Sequence, residues 1–432
     1  MNITKRDFFV SIILLIISAF FFCYVNLSIK SFDEWHSLKY ATPDSKTYLD
    51  VGRWILGENT FDNAESSVAI RPFFYPLVIV ILDSIHPLAV AIFQFTLWQI
   101  QILMIYFFCI KVSRLFILSI LVSVLSIGIL SPIGISLHAL TETLSSFFIT
   151  FSIFIFIFFL EKNSYRYIYA YLLSLSFCSA TRPSYIYVYI FSIMILFFFL
   201  IKKRKFFYIC ILATTFLPIS LQYYVMKKHF DSYKLSFIDS FAINDYFLSG
   251  LELYKRKVEF DANRNLYIRM VRDARREYMA EMIKEKGYGE TSKKVKSDLL
   301  ASLVNYPNES LRQFKDLIIE NSMQPSSFIT ANKNLYIATF AQSKLLLTIN
   351  IISALFFSVI IFNKKYFAEE IYEKNIVFSL LIFFCIYFTY ISTGLTFWQG
   401  DRFIIPIYYA SIMLFVHQTR MFFAFIRNTN KK

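Results

Sequence analysis

Cysteine is rare in this 432-residue chain: Cys23, Cys109, Cys178, Cys210 and Cys385 are all there is, and none form a Cys-x-x-Cys pair. All five fall inside apolar stretches, so they read as small core hydrophobes and argue against a disulfide framework or a thiolate metal site. The motifs of soluble enzymes are missing as well. There is no Gly-x-Gly-x-x-Gly, no Walker A loop, no His-Glu-x-x-His and no Gly-x-Ser-x-Gly, and Gly287-Tyr288-Gly289 is too short a fragment to count. No Asp-x-Asp pair is present to hold the metal of a nucleotide-sugar. No internal repeat is visible, which counts against a transporter built from inverted halves. Glycine is scarce too, at 9 residues.

What the chain has in abundance is apolar sequence. Hydrophobic residues make up 57% of it, including 51 Phe and 29 Tyr, against roughly 45–50% in a soluble domain. About 20 apolar residues cross the ~30 Å hydrocarbon core as a helix. Runs near that length cover 8–29, 88–110, 115–134, 142–160, 184–201, 206–225, 344–362, 376–394 and 402–418, and shorter ones cover 72–86 and 167–181. These segments predict an all-α, polytopic transmembrane bundle. The first run is longer than a signal-peptide core and no small-x-small cleavage site follows it, so it is expected to remain as a helix.

The formal charge of +14 is distributed in a way that argues against nucleic acid. Basic residues cluster in short loops: Lys5-Arg6, Lys111 with Arg114, Lys202 to Lys205, Lys364-Lys365, and Arg420 to Lys432. That is the positive-inside pattern, which orients a membrane protein. It places both termini in the cytoplasm of a bacterial inner membrane. The 30–71 loop, the Thr181-Arg182-Pro183 corner, the 226–343 region and the Trp398–Arg402 turn are then extracytoplasmic. Eleven full spans would leave the termini on opposite sides, so one segment between 72 and 134 is incomplete. The candidates are 72–86, which carries Pro72, Pro76 and Asp83, and 115–134. Three parts follow: 1–225, a membrane module with the 30–71 loop; 226–343, a helical outer region; and 344–432, the last helices and a basic tail. Within 226–343, helical spacing of apolar residues predicts helices over about 262–286, stopped by Gly287 and Gly289, and over about 309–320 with Leu311, Phe314, Leu317 and Ile318 on one face.

The other loops mostly carry Lys and Arg, yet Asp33, Glu34, Asp44, Asp50, Glu58, Asp62 and Glu65 crowd the first one. Residues 43–57 read as a capped helix closed by Gly57, with Leu49, Trp54 and Ile55 toward the membrane. Asp44 stands at its N-cap or first turn, either as a cap or as a carboxylate base. Glu142 sits beside His138 at the start of a span, where it can cap the helix or serve function as an intramembrane ionisable group. His138 reads as a hydrogen-bonded structural residue, and no metal or other cofactor is expected. Arg71, Arg182 and Arg402 fall at outer helix ends, where a cation can snorkel or bind an anionic headgroup.

Asp44, Tyr48 and Gly57, followed by Arg71-Pro72-x-x-Tyr75-Pro76, resemble the opening of polyprenyl-phosphate-sugar-dependent membrane glycosyltransferases of the GT-C superfamily. Leu140-Thr141-Glu142-Thr143-Leu144 resembles the family's glutamate-bearing helix start, and Ala180-Thr181-Arg182-Pro183-Ser184 its small-Thr-Arg-Pro corner. Gly400-Asp401-Arg402-Phe403-Ile404-Ile405-Pro406 resembles the acidic-Arg-aromatic entry into a late helix. The resemblance covers about residues 8–201 and 395–415. Phe73-Phe74 departs from the more usual Pro-small pair. Size and the low-Gly, high-Phe composition also resemble serotype-converting O-antigen glucosyltransferases.

The resemblance implies a transferase that moves a sugar, with inversion, from an undecaprenyl-phosphate-type donor to a hydroxyl of a surface glycan or lipid-linked glycan. Asp44 would be the base, with the Asp33-Glu34 pair as the rival choice. Arg182, Arg402 and Arg71 would hold the donor phosphate, with Glu142, Tyr48, His138 and Asp401 in support. One base suffices because the donor leaves as a stable phosphate anion, whereas a glycosidase must also protonate its leaving alcohol. Arginine suits the developing phosphate charge. Two other classes compete: an O-antigen polymerase, which would use arginines of the 226–343 region, and a lipid-linked oligosaccharide flippase, which would need more mid-bilayer charge than Asp83.

Overall fold

The computed structural model describes residues 4–162, 164–205, 208, 212–256, 262–324, 332–363, 369–396 and 400–429. Among these residues the regular structure is helical, with no strand, as the period and length of the apolar runs predict. The labelled helices are α1 (Lys5–Leu27), α2 (Pro43–Ile55), α3 (Phe61–Ile70), α4 (Phe74–Ile85), α5 (Ala89–Ser113), α6 (Phe116–Ile127), α7 (Glu142–Lys162), α8 (Arg166–Thr181) and α9 (Ile186–Lys202). They continue with α10 (Leu217–Phe230), α11 (Ala262–Asn305), α12 (Pro307–Met323), α13 (Lys333–Phe362), α14 (Glu369–Ser392) and α15 (Tyr408–Thr429). Seven helices among the described residues are long and apolar enough to cross a membrane: α1, α5, α7, α13, and the stretches Pro183–Lys202, Tyr372–Leu395 and Ile405–Thr429 that contain α9, α14 and α15. This is a multi-pass membrane architecture.

Contacts between charged ends define two poles of the bundle. At one, Lys111 Nζ meets Glu161 Oε2 at 2.5 Å and Lys203 Nζ meets Glu373 Oε2 at 2.9 Å. Arg6 lies 3.8 Å over the Phe116 ring at the same pole. At the other lie the first residues of α2, α7 and the 400–407 turns. α7 has 21 residues, which at 1.5 Å each separates the poles by about 30 Å.

The incomplete segment is α4. Its start is tied to the first loop through Arg71 and Asp44. Its far end returns there as well, because Asp83 pairs with Lys39 and accepts from the Tyr40 hydroxyl at 2.9 Å. Between these points α4 lies along α2, with Gly52 against the Pro76 carbonyl and Val80. A helix whose two ends meet the same loop folds back and does not cross. Short α6 does lead from pole to pole, since it begins beside Arg6 and is followed by Ser131, whose hydroxyl donates to Asp401.

Several finer expectations are corrected. Trp54 and Ile55 pack with Val51, Ala64, Val68 and Val225, so their face of α2 meets α3 and α10, while Leu49 is buried in the main core. Gly287 leaves the helical region (φ 76°, ψ 170°) and breaks α11 there, as expected, and a further helical stretch runs on to Asn305. Leu311 is exposed, while Phe314 and Leu317 join Phe247, Leu248 and Ile268 in a small separate core. Gln313, one turn earlier than Leu317, is buried and donates to the Phe247 carbonyl at 2.7 Å. Cys109, Cys178 and Cys385 are buried as expected, Cys23 is exposed on α1, and Cys210 lies outside the described residues.

Candidate active site

The first turn of α2 sets the site. Thr42, not Asp44, is the cap: its hydroxyl accepts from the Ser45 N–H at 3.1 Å, and Pro43 occupies the first helical position, where a missing N–H costs nothing. That leaves the Asp44 carboxylate available for other partners. Thr47 and Tyr48 stand three and four positions on, hence on the same face.

Arg71 ends α3 because Pro72 follows it, and a residue before proline is pushed out of the helical region. Its backbone is extended (φ −114°, ψ 120°). Its Nη2 donates to Asp44 Oδ1 at 2.5 Å, its Nε to Thr47 Oγ1 at 2.9 Å and its Nη1 to the Tyr48 hydroxyl at 3.1 Å. The guanidinium also lies 4.5 Å from the centre of the Tyr48 ring, and Tyr75 packs edge-on against that ring at 5.0 Å. Tyr75 is anchored by Gln94, whose amide also donates to the His138 carbonyl at 2.8 Å.

Arg182 repeats this local logic before Pro183: extended backbone (φ −137°, ψ 104°) at the end of α8, with its guanidinium 4.7 Å over the Phe403 ring. Arg402 comes from the short turn 400–403 before α15. Its Nη2 donates to Asp44 Oδ2 at 2.6 Å and its Nε to Glu142 Oε1 at 2.6 Å. Arg182 Nη1 stands 4.0 Å from the same Glu142 oxygen. Both Arg182 Nη1 and Glu142 Oε2 are buried without a hydrogen-bond partner. Glu142 is 1% exposed and Asp44 is 31% exposed at its side chain, so the cluster is buried behind Glu142 and open at Asp44.

Electrostatics follow from this geometry. Burial pushes the Asp44 carboxyl up, but Arg71 and Arg402 outweigh it and hold the group well below the usual carboxylate range. Burial opposes the charge of Arg402, yet Glu142 and Asp44 raise its pKa further. Burial pushes His138 down, so its ring is neutral near pH 7. Three guanidiniums against two carboxylates leave one positive charge in excess. Among the described residues no group of three His, Cys, Asp or Glu side chains is placed to hold a metal ion.

Of the residues singled out in the sequence, Asp44, Tyr48, Arg71, Glu142, Arg182 and Arg402 converge here. Asp33 and Glu34 do not. Both are exposed on a short 3-10 turn, with Glu34 paired to Lys30 at 3.5 Å. Asp401 is fully buried and serves the backbone of Arg402: its carboxylate accepts from Ser131 and from the Tyr408 hydroxyl (2.7 Å), and its N–H donates to the Gln324 carbonyl at 2.7 Å. Sequence reasoning missed Thr47, Gln94, Ser131 and Tyr408. Only Thr47 carried a signal, its helical spacing from Asp44. Compared with known proteins, the chain matches no family model and no curated protein.

Proposed function

We propose that this protein is an inner-membrane glycosyltransferase that takes a sugar from a polyprenyl-phosphate donor and passes it, with inversion, to a hydroxyl of an extracytoplasmic glycan. The observation that carries the reading is the convergence of Arg71, Arg182 and Arg402, from sites far apart in the chain, on two neighbouring carboxylates, the partly open Asp44 and the buried Glu142. Arginine cannot shed its charge, and a fixed excess of one positive charge suits a phosphodiester monoanion.

Asp44 takes the proton of the acceptor hydroxyl, whose oxygen bonds to the anomeric carbon. The bond from that carbon to the phosphate oxygen breaks, and its electron pair stays on the phosphate. The monoanionic diester thereby leaves as a dianionic monoester. Arg182, with an unsatisfied buried Nη1, and Arg402 meet the charge that develops, and Arg71 assists. Preorganised donors of this kind are each worth roughly 10²–10³ in rate.

The test is transfer from a radiolabelled prenyl-phosphate sugar in membranes containing equal amounts of each protein. Asp44→Asn is expected to lose about 10²–10⁴ of the rate, the usual contribution of a general base. Arg182→Gln is expected to lose about 10²–10³, while Asp33→Asn with Glu34→Gln stays within twofold of the parent. Undiminished transfer by Asp44→Asn refutes the reading. Lost transfer in the Asp33/Glu34 variant moves the base to that pair.

A further inference from the structure

Both oxygens of Asp44 are already taken. Oδ1 accepts from Arg71 at 2.5 Å and Oδ2 from Arg402 at 2.6 Å. A carboxylate clamped by two charge-assisted bonds is held in its ionised form and is a weak base toward a hydroxyl proton. Yet Arg402 is built to let go. Glu142 holds its Nε at 2.6 Å from a position almost wholly buried at the start of α7, so the guanidinium stays anchored at that end when its Nη2 leaves Asp44. Directly beside it, Arg182 Nη1 and Glu142 Oε2 lie buried with no hydrogen-bond partner, so an arginine donor stands unspent next to Arg402.

We propose that Asp44 is masked in the empty protein and is released as a base only when a phosphodiester enters and draws Arg402 and Arg71 onto its own oxygens. This rests on the phosphate-binding reading above. A monoanion neutralises the one excess charge of the cluster, and Asp44, now without its two cations, regains basicity beside the acceptor. Donor therefore binds before acceptor chemistry begins, and the empty site does not activate stray hydroxyls.

Calorimetry of the full chain in detergent tests this with methyl decyl phosphate, a phosphodiester that stays monoanionic throughout the pH range used. At pH 4, titrations in buffers of different ionisation enthalpy are expected to show proton uptake on binding, about half a proton per ligand for a carboxyl returned to the ordinary ~3.9. The Asp44→Asn variant is expected to bind the diester roughly tenfold tighter, because a competing carboxylate is gone, and to take up no proton. Binding by the parent protein without proton uptake, or Asp44→Asn binding no tighter than the parent, overturns the masking while leaving the phosphate site intact. Absence of diester binding by the parent overturns the phosphate site and the masking together. The proton uptake of the parent needs no variant and stands even if Asp44→Asn folds poorly.

Discussion

At the scale of single residues, the charge state of Asp44 couples stability to pH with a definite sign. Its pKa in the folded chain lies below the ~3.9 of an unfolded aspartate, because Arg71 and Arg402 outweigh its burial. The folded state then binds fewer protons than the unfolded one in that window. The carboxylate's contribution is complete above about pH 5 and fades as pH falls through 4 toward the folded value. Thermal unfolding of the parent and of Asp44→Asn across pH 7 to 3 is expected to show a gap in Tm that is widest near neutrality and narrows in acid. A gap that stays constant with pH denies the ion pairs any share in stability. The arginines themselves were legible in the sequence, since Arg71 and Arg182 each precede a proline and so must stand at a helix end. Which acidic group of the first loop meets those arginines was not. It depends on Arg402 arriving from the far end of the chain, and no local pattern encodes that meeting.

At the scale of elements, the contact between α2 and α4 fixes where Asp44 points. A Cβ on Gly52 would stand 2.7 Å from the Pro76 carbonyl oxygen and 2.7 Å from Val80 Cβ, closer than real side chains come. The Pro76 backbone cannot retreat without moving the start of α4, which follows Arg71, and Gly52 itself stands two turns along α2 from Asp44. Gly52→Ala is therefore expected to destabilise by about 1–3 kcal/mol, as overpacking does, and to lower transfer beyond what lost folding explains, measured per folded molecule. Unchanged stability and transfer show that α2 and α4 tolerate separation. Apolar runs and helical period revealed these helices, but lengths and partners were harder to read. The two outer helices were right in existence and partly right in face: Phe314 and Leu317 pack inward, while Leu311 is exposed and Met279, outside the expected apolar stripe, is buried. Both of their faces carry apolar residues, so periodicity alone leaves the buried side open by a position. The π-helical turn Ile243–Leu248, which seats Asp245 against Arg276 at 2.5 Å, has no sequence signal at all.

At the scale of the whole molecule, the reading requires the arginine pole to face away from the cytoplasm. Lys111, Lys202 and Lys203 crowd the opposite pole, and short basic loops stay on the cytoplasmic side during insertion. The first loop carries the carboxylates instead, and α4 returns to it without crossing, so the crossings that follow alternate from α5 onward. Single cysteines placed at Glu58, beside the first loop's exposed Gly57 turn, and at Lys162, at the far end of α7, report the two poles directly. In intact cells a membrane-impermeant maleimide is expected to label Glu58→Cys at once and Lys162→Cys only after the membrane is opened. The native cysteines among the described residues lie within apolar helices, out of reach of an aqueous reagent, and the parent protein supplies the blank. The reverse pattern would turn Asp44 and its arginines toward the cytosol. A polyprenyl-phosphate donor displayed on the outer leaflet could not then reach them, whatever their geometry. Labelling of both sites in intact cells would instead place α7 outside the set of crossing helices and dissolve the two-pole arrangement on which the site depends.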